Sequence, residues 1–379
     1  MEFKFREGLV NFHENTNINF QLNRWTGYGA CGRDKDLQKV SSRIKKLSDH
    51  KHEMISIAEE ALNEGRLLNA AWYYRGAEFF CKPDDPDRLK LYNKFSELFY
   101  EIFREENIER FKIPYQNSYL PAYSIQSEGS KGTVLVHGGF DSFIEEFYPQ
   151  IIGFKELGYN IIAFEGPGQG AALNKYNLPM TPEWEKPVST VLDYFKLNEV
   201  ALIGISLGGY LALRAAAYEK RIKRVVAYDV IYNFFDCVIS RQGKLKNAII
   251  SGLLGLNTDF ILNKMFYKSM ENDMFTEWLV TQGMHIWGAK TPAEYLKKLK
   301  NYQCEDCSKL ITQEVLLLAG TKDHFIPLEM IYKQMKALKN AKSVTARIFT
   351  EKENAADHCQ IGNLELVMDV IMNWLNNNQ

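Results

Sequence analysis

Val200-Ala-Leu-Ile-Gly-Ile-Ser-Leu-Gly-Gly-Tyr-Leu-Ala-Leu-Arg214 is the stretch that decides the fold of this chain. Its apolar run to Ile203 predicts a buried strand, Ala212 to Ala217 predicts a helix, and between them Gly204, Ser206 and Gly208 stand in the spacing G-x-S-x-G, that of a nucleophile elbow. A strand-to-helix turn this tight holds the serine in strained backbone geometry, and glycine on either side removes the Cβ atoms that would collide. The hydroxyl of Ser206 is thrust outward. The amide of Leu207, at the helix start, points toward any nearby oxygen that becomes negative.

Outward from this turn, Thr133-Val-Leu-Val-His137 reads as a buried strand ending in Gly138-Gly-Phe-Asp-Ser142, and Tyr159 to Phe164 as another ending in Glu165-Gly-Pro-Gly-Gln-Gly170. Strands near 134, 161, 201, 225 and 316 alternate with helical stretches, which predicts an α/β fold with a mostly parallel central sheet covered on both faces. Ile113-Pro-Tyr and Leu120 to Ile125 read as edge-type strands. Ahead of them, about Asp36 to Asn107 has helical periodicity, with Pro83-Asp-Asp-Pro86 starting its last helix near Asp85 or Asp87. The predicted organisation is a helical N-terminal cap module over 1–108 and a catalytic domain over 109–379. Residues 232–310 break the alternation with helical, aromatic-rich sequence, too long for a simple loop, and read as a lid insertion. A last amphipathic helix is expected from about Cys359 to Asn376.

Bulk properties narrow the function. The 379 residues carry 46 basic and 47 acidic side chains, for a net charge of −1. No basic run would track a phosphate backbone, so nucleic acid is not an expected partner. No stretch reaches the roughly 18 apolar residues of a membrane span, and Met1-Glu-Phe-Lys-Phe-Arg-Glu has no apolar signal region. The expected setting is cytoplasmic, with the six cysteines as free thiols. Cys304-Glu-Asp-Cys307 offers two ligands and no second pair, so no metal and no cofactor are expected. Trp72 and Tyr73, read as exposed aromatics, suggest a homodimer.

A serine needs a base within reach, and the base needs an orienting group. Asp323, after the strand ending at Ala319, and His358, ahead of the last helix, follow Ser206 in the order Ser, acid, His. Asp229, at the end of the strand from Arg224 to Tyr228, competes for the acid position. Asp323 is favoured because Gly320-x-x-Asp323-x-x-x-Pro327 places a carboxylate at a strand end and fixes the chain beyond it. For a developing oxyanion, Leu207 offers one backbone N–H and Gly139 or Phe140 a second. His137 and His324 read as locally structural. Gly166-Pro-Gly-Gln-Gly170 lacks the spacing of a phosphate loop.

With these motifs in place, residues 109 to 379 resemble the α/β-hydrolase superfamily. The closer likeness is to its FrsA-like, dihydroxypseudooxynicotine hydrolase-like group, through Gly138-Gly-Phe-Asp-Ser142 with Glu145-Glu146, Phe164 to Gly170, Gly204 to Gly208, and Asp357-His-Cys-Gln360. The resemblance implies ester hydrolysis in some members and cleavage of a carbon–carbon bond beside a ketone in others. Acylaminoacyl peptidase catalytic domains are also similar, but their propeller has no counterpart here. The expected function is a serine hydrolase (esterase-like) acting on a small-molecule carbonyl substrate. The alternatives are a carbon–carbon hydrolase of a β-diketone-like substrate, an acylaminoacyl peptidase, or a non-catalytic binding protein with this fold.

Overall fold

Side chains alternate between the two faces of a strand, so a strand buried on both sides must be apolar at every position. The central strands of the computed structural model meet that demand. Val134 and Val136, Ala201 and Ile203, Leu316 and Leu318 enter one core, while Leu135, Leu202, Leu317 and Ala319 enter the other. The structure describes residues 3–28, 32–240 and 243–377. Met1, Glu2 and Cys31, which entered the readings of the N-terminus and of the thiols, lie outside them.

Five helices come first: α1 (Thr16–Gly27), α2 (Asp34–Ser41), α3 (Leu47–Asn63), α4 (Leu67–Phe79) and α5 (Arg88–Ile102). Eight strands follow among the described residues: β1 (Glu109–Tyr115), β2 (Ser118–Ile125), β3 (Thr133–His137), β4 (Asn160–Phe164), β5 (Val200–Ile205), β6 (Ile222–Tyr228), β7 (Glu314–Gly320) and β8 (Ser343–Phe349). They form one sheet in the order β1-β2-β4-β3-β5-β6-β7-β8. The β1–β2 and β2–β4 pairs are antiparallel and the others parallel. The mostly parallel sheet expected from the alternation is present. Because β3 lies between β4 and β5, the chain leaves its carboxyl end in one direction and β5 leaves in the other, which opens a crevice at that point.

Several local readings need correction. A helix precedes Asp36: α1 is capped by the Asn15 side chain, which accepts from the amides of Asn17 and Ile18. Trp72 and Tyr73 are fully buried, because α4 packs in the middle of the helical layer and has no outward face, so they supply no argument for a dimer. Of the two supposed edge strands only β1 is an edge, since β2 pairs on both sides. The last helix spans Leu364–Asn377 rather than starting at Cys359, because Cys359 and Gln360 have positive φ and end a single turn at His358–Gln360.

One apolar core runs without a break from α1 to α5, through Trp25, Ala58 and Trp72, onto the sheet face at Val134 and Val136. Residues 232–310 hold helices at Phe234–Ser240, Lys244–Gly255, Asp259–Asn272, Met274–Ile286 and Pro292–Leu299. A bridge between Asn233 and Gln303 ties the base of this insertion. No helix among the described residues is long and apolar enough to cross a membrane.

Candidate active site

β5 ends at Ile205, and the helix Leu207–Tyr218 begins two residues later. Ser206 between them has φ 61° and ψ −123°, a conformation that a residue with a side chain adopts only under constraint. Two contacts impose it. The Ser206 amide donates to the Tyr228 carbonyl, and a Cβ at Gly204 would run into the backbone of Gly208. The geometry is that of the predicted elbow.

Ser206 Oγ lies 2.8 Å from His358 Nε2, and His358 Nδ1 lies 2.7 Å from Asp323 Oδ2. The other Asp323 oxygen accepts from the amides of Phe325 at 2.7 Å and Ile326 at 2.9 Å, which fixes the carboxylate in the turn after β7. Three side chains spread over 152 positions of the chain thus share one hydrogen-bonded line. In such a line a hydroxyl can pass its proton to the imidazole as it attacks. Burial alone would raise the Asp323 carboxyl, but the charge and hydrogen bond of His358 hold it below its ordinary value. Burial alone would lower the His358 imidazole, and Asp323 overrides it and holds the ring well above 6.5.

Asp229, the competing acid of the sequence, is in the same place. Its Oδ2 is 3.3 Å from His358 Nδ1, accepts from the Cys359 amide at 2.8 Å, and its Oδ1 accepts from Gln360 Nε2 at 3.0 Å. Two buried carboxylates therefore face one imidazole. Burial and the charge of Asp323 push Asp229 up to about 7. Asp229, His358 and Cys359 have potential ligand atoms within 4.8 Å of one another. Both ring nitrogens of His358 are, however, already held by Ser206 and Asp323.

The turn after β3 packs directly on the start of the Leu207–Tyr218 helix: a Cβ at Gly139 would come within 2.6 Å of the amide nitrogens of Leu207 and Gly208. The Gly139 amide donates to Ser142 Oγ at 3.1 Å. No hydrogen bond occupies the Leu207 or Phe140 amide among the described residues. Gln169 Nε2 donates to the Gly138 carbonyl at 2.6 Å, and Glu165 Oε2 accepts from the Ala171 amide at 2.6 Å. The turn after β4 therefore buttresses the turn after β3, a role that glycine spacing alone did not disclose. His137 is fully buried and accepts from Trp184 Nε1 at 3.1 Å; burial pushes it down to about 4, so it is a neutral packing residue.

A cavity of about 110 Å³ opens onto Ser206 and His358. Phe79, Phe140, Phe234, Trp278 and Phe325 give it apolar walls, and Phe20, Gln21, Arg24 and Tyr28 close it from α1. None of these α1 residues figured in the sequence reading. Asn15 followed by Ile18, Leu22 and Trp25 at helical spacing was the available signal.

Beneath α1 lies a buried ionic network. Arg24 Nη2 is 2.7 Å from Glu146 Oε2, Arg75 Nε is 3.3 Å from the same oxygen, Arg75 pairs with Glu78, and Arg75 Nη2 donates to the Asp141 carbonyl at 2.9 Å. Arg88 bonds Glu78 at 3.0 Å and Gln282 of the insertion at 2.9 Å. The network joins the N-terminal helices, the turn after β3 and the insertion.

Comparison with known proteins agrees with this architecture. The profile described as the alpha/beta hydrolase family matches residues 133–360. A protein of Fusarium sp. named a hydrolase is 29% identical over 355 residues, spanning 85% of this chain and 84% of its own. The 20-hydroxy-prefusarin hydrolase of Gibberella moniliformis is 29% identical over 383 residues, covering 91% and 90%. Among solved structures, 2,6-dihydroxy-pseudo-oxynicotine hydrolase superposes with a TM-score of 0.61 at 18% identity over 93% of this chain and 94% of its own. The structure titled AbyA5 Wildtype superposes with a TM-score of 0.67 at 18% identity over 90% of each. At that identity these two show the shared fold, helical N-terminal region included.

Proposed function

The chain belongs to the alpha/beta hydrolase family, and from that premise we propose that it is a serine hydrolase of a small-molecule carbonyl substrate, a carboxylic ester or related acyl compound. The observation that carries this reading is the line Ser206 Oγ, His358, Asp323 at 2.8 and 2.7 Å. Ser206 attacks the carbonyl carbon while His358 Nε2 takes its proton, and Asp323 orients the ring and balances the charge that forms on it. The tetrahedral oxyanion is held by the amides of Leu207 and Phe140, since that of Gly139 is engaged by Ser142. Collapse expels the leaving group, which receives the proton from His358. Water activated by the same imidazole then releases the acyl group from Ser206. The N-terminal helices and the helical insertion are proposed as cap and lid, because both supply walls of the cavity.

The test is labelling by a fluorophosphonate probe with hydrolysis of p-nitrophenyl esters. The expected outcome is stoichiometric labelling that vanishes in Ser206→Ala, with kcat lowered by about 10⁴-fold or more. Labelling that persists in Ser206→Ala, or no labelling of the wild type, overturns the reading. A carbon–carbon hydrolase remains the second reading, since the same nucleophile and oxyanion donors serve both. It is favoured over the ester reading if β-diketones turn over and simple esters do not.

A further inference from the structure

Besides Ser206, His358 and Ser142, the polar lining of the cavity comes from α1 and the residues beside it. There Gln21, Arg24 and Tyr28 recur at helical spacing on one face, and Gln150 joins them from the helix Tyr148–Ile151. Gln150 is 5% exposed and its amide forms no hydrogen bond among the described residues. Gln21 is 4% exposed; its oxygen accepts from Arg24 Nη1 at 3.4 Å, while its NH₂ donates to nothing described. Buried amides left without partners are uncommon in folded proteins, and those that line a cavity are available to a ligand. Of the five N–H groups on a guanidinium, Tyr28 and Gln21 take one each on Arg24, and even with one turned to Glu146 in the ion pair two remain.

What is spare at this end is therefore mostly hydrogen-bond donors, and one of the side chains carries positive charge. Arg24 is ion-paired with Glu146 at 2.7 Å, and Arg24, Arg75 and Arg88 face Glu78, Glu146 and Asp141, three against three, so what this end offers a ligand is the spare N–H groups of a charged guanidinium and of two amides. An acceptor-only planar oxygen pair matches both the donors and the fork of Arg24. A neutral alkyl group would leave the amides unsatisfied.

We infer that the substrate carries a carboxylate remote from its reacting carbonyl, which seats on Arg24, Gln21 and Gln150 while that carbonyl meets Ser206. This rests on the serine-hydrolase reading and adds the class of compound that reading leaves open. The apolar remainder of the molecule lies against Phe79, Phe140, Phe234 and Trp278.

The experiment compares mono-p-nitrophenyl glutarate with its neutral counterpart p-nitrophenyl pentanoate. The anionic member should have the higher kcat/KM by roughly tenfold, carried in KM, as a charge-assisted contact supplies. Arg24→Met should bring the ratio to about one and Arg24→Lys should restore part of it. If Arg24→Met fails to fold, Gln150→Leu, which unpairs no charge, should still cut the ratio several-fold. A second readout needs no turnover: calorimetry on Ser206→Ala with monomethyl glutarate against methyl pentanoate. Equal ratios in wild type and both variants, or no preference for the anionic ester in turnover or in binding, overturn the inference. Anion preference in binding with no turnover of any substrate would instead strike the hydrolase reading and leave the anion site standing.

Discussion

Asp323 and Asp229 approach the same imidazole nitrogen, at 2.7 and 3.3 Å, and their other partners distinguish them further. Asp323 is locked by two backbone amides of its own turn, whereas Asp229 is held by the Cys359 amide and the Gln360 side chain, which belong to the segment that carries His358. Asp229 is thus placed to take over as orienting group. Asp323→Ala should lower kcat by about 10²-fold, and Asp323→Ala with Asp229→Asn by about the 10⁴-fold seen when a triad acid is disabled. Equal losses in the single and double variants, measured on an activated ester, would show that Asp229 does not substitute. The same pair sets the pH response. The His358 imidazole is held well above 6.5 in the folded state, so kcat/KM should rise with pH through an apparent pKa displaced upward from that value. The displacement should shrink in Asp323→Ala. The stabilisation linked to the raised His358 is fully present below about 6.5 and is lost as pH rises through the folded value. Denaturation midpoints should therefore fall over the alkaline range where activity climbs. Asp229, raised to about 7, contributes a separate loss at lower pH, between its unfolded carboxylate value near 4 and about 7.

Between elements, the decisive contact is that of the turn after β3 on the first residues of the Leu207–Tyr218 helix. A methyl group at Gly139 would press on the Leu207 and Gly208 amide nitrogens at 2.6 Å. Gly139→Ala should therefore displace an oxyanion donor and lower kcat by about 10²-fold or more, with KM changed less. Its thermal midpoint should fall as well, because the clash is with buried backbone that must give way. Arg75 works at longer range, since α4 delivers a fully buried guanidinium to Glu78, Glu146 and the Asp141 carbonyl. Arg75→Met leaves buried carboxylates without their cation, and about 3 to 5 kcal/mol of stability should be lost, read from the urea midpoint at constant m-value. At this scale the sequence was readable wherever an element carries its own punctuation. The strands β3 to β7 are apolar runs, and Pro83 to Pro86 precede α5. β8, Ser343-Val-Thr-Ala-Arg-Ile-Phe349, escaped because it is an edge strand with half its side chains exposed and no continuous apolar run. α1 escaped because Thr16 to Gly27 mixes asparagines and glutamine into its buried faces, where Asn23 serves the backbone of Val10.

For the molecule as a whole, the insertion presents apolar side chains outward as well as inward. Leu245, Leu256 and Phe260 are 77%, 76% and 80% exposed, with Ile249 and Ile261 beside them in sequence. Leu256→Gln with Phe260→Gln should leave folding stability within about 0.5 kcal/mol and reduce concentration-dependent association, followed by light scattering. The strand-and-helix alternation, the glycine-flanked turn at Ser206 and the chain order of Ser206, Asp323 and His358 were legible in the sequence alone. Each depends on residues close along the chain: a two-residue strand period, a helical period, and turns that only glycine allows. Only the tertiary structure decided that two carboxylates face His358, that the Gly139 amide is occupied, and that Gln21, Arg24 and Gln150 share a cavity with Ser206. Those facts come from packing between segments far apart in sequence, where a buried charge or amide is settled by what the rest of the chain brings to it. No local pattern records that meeting.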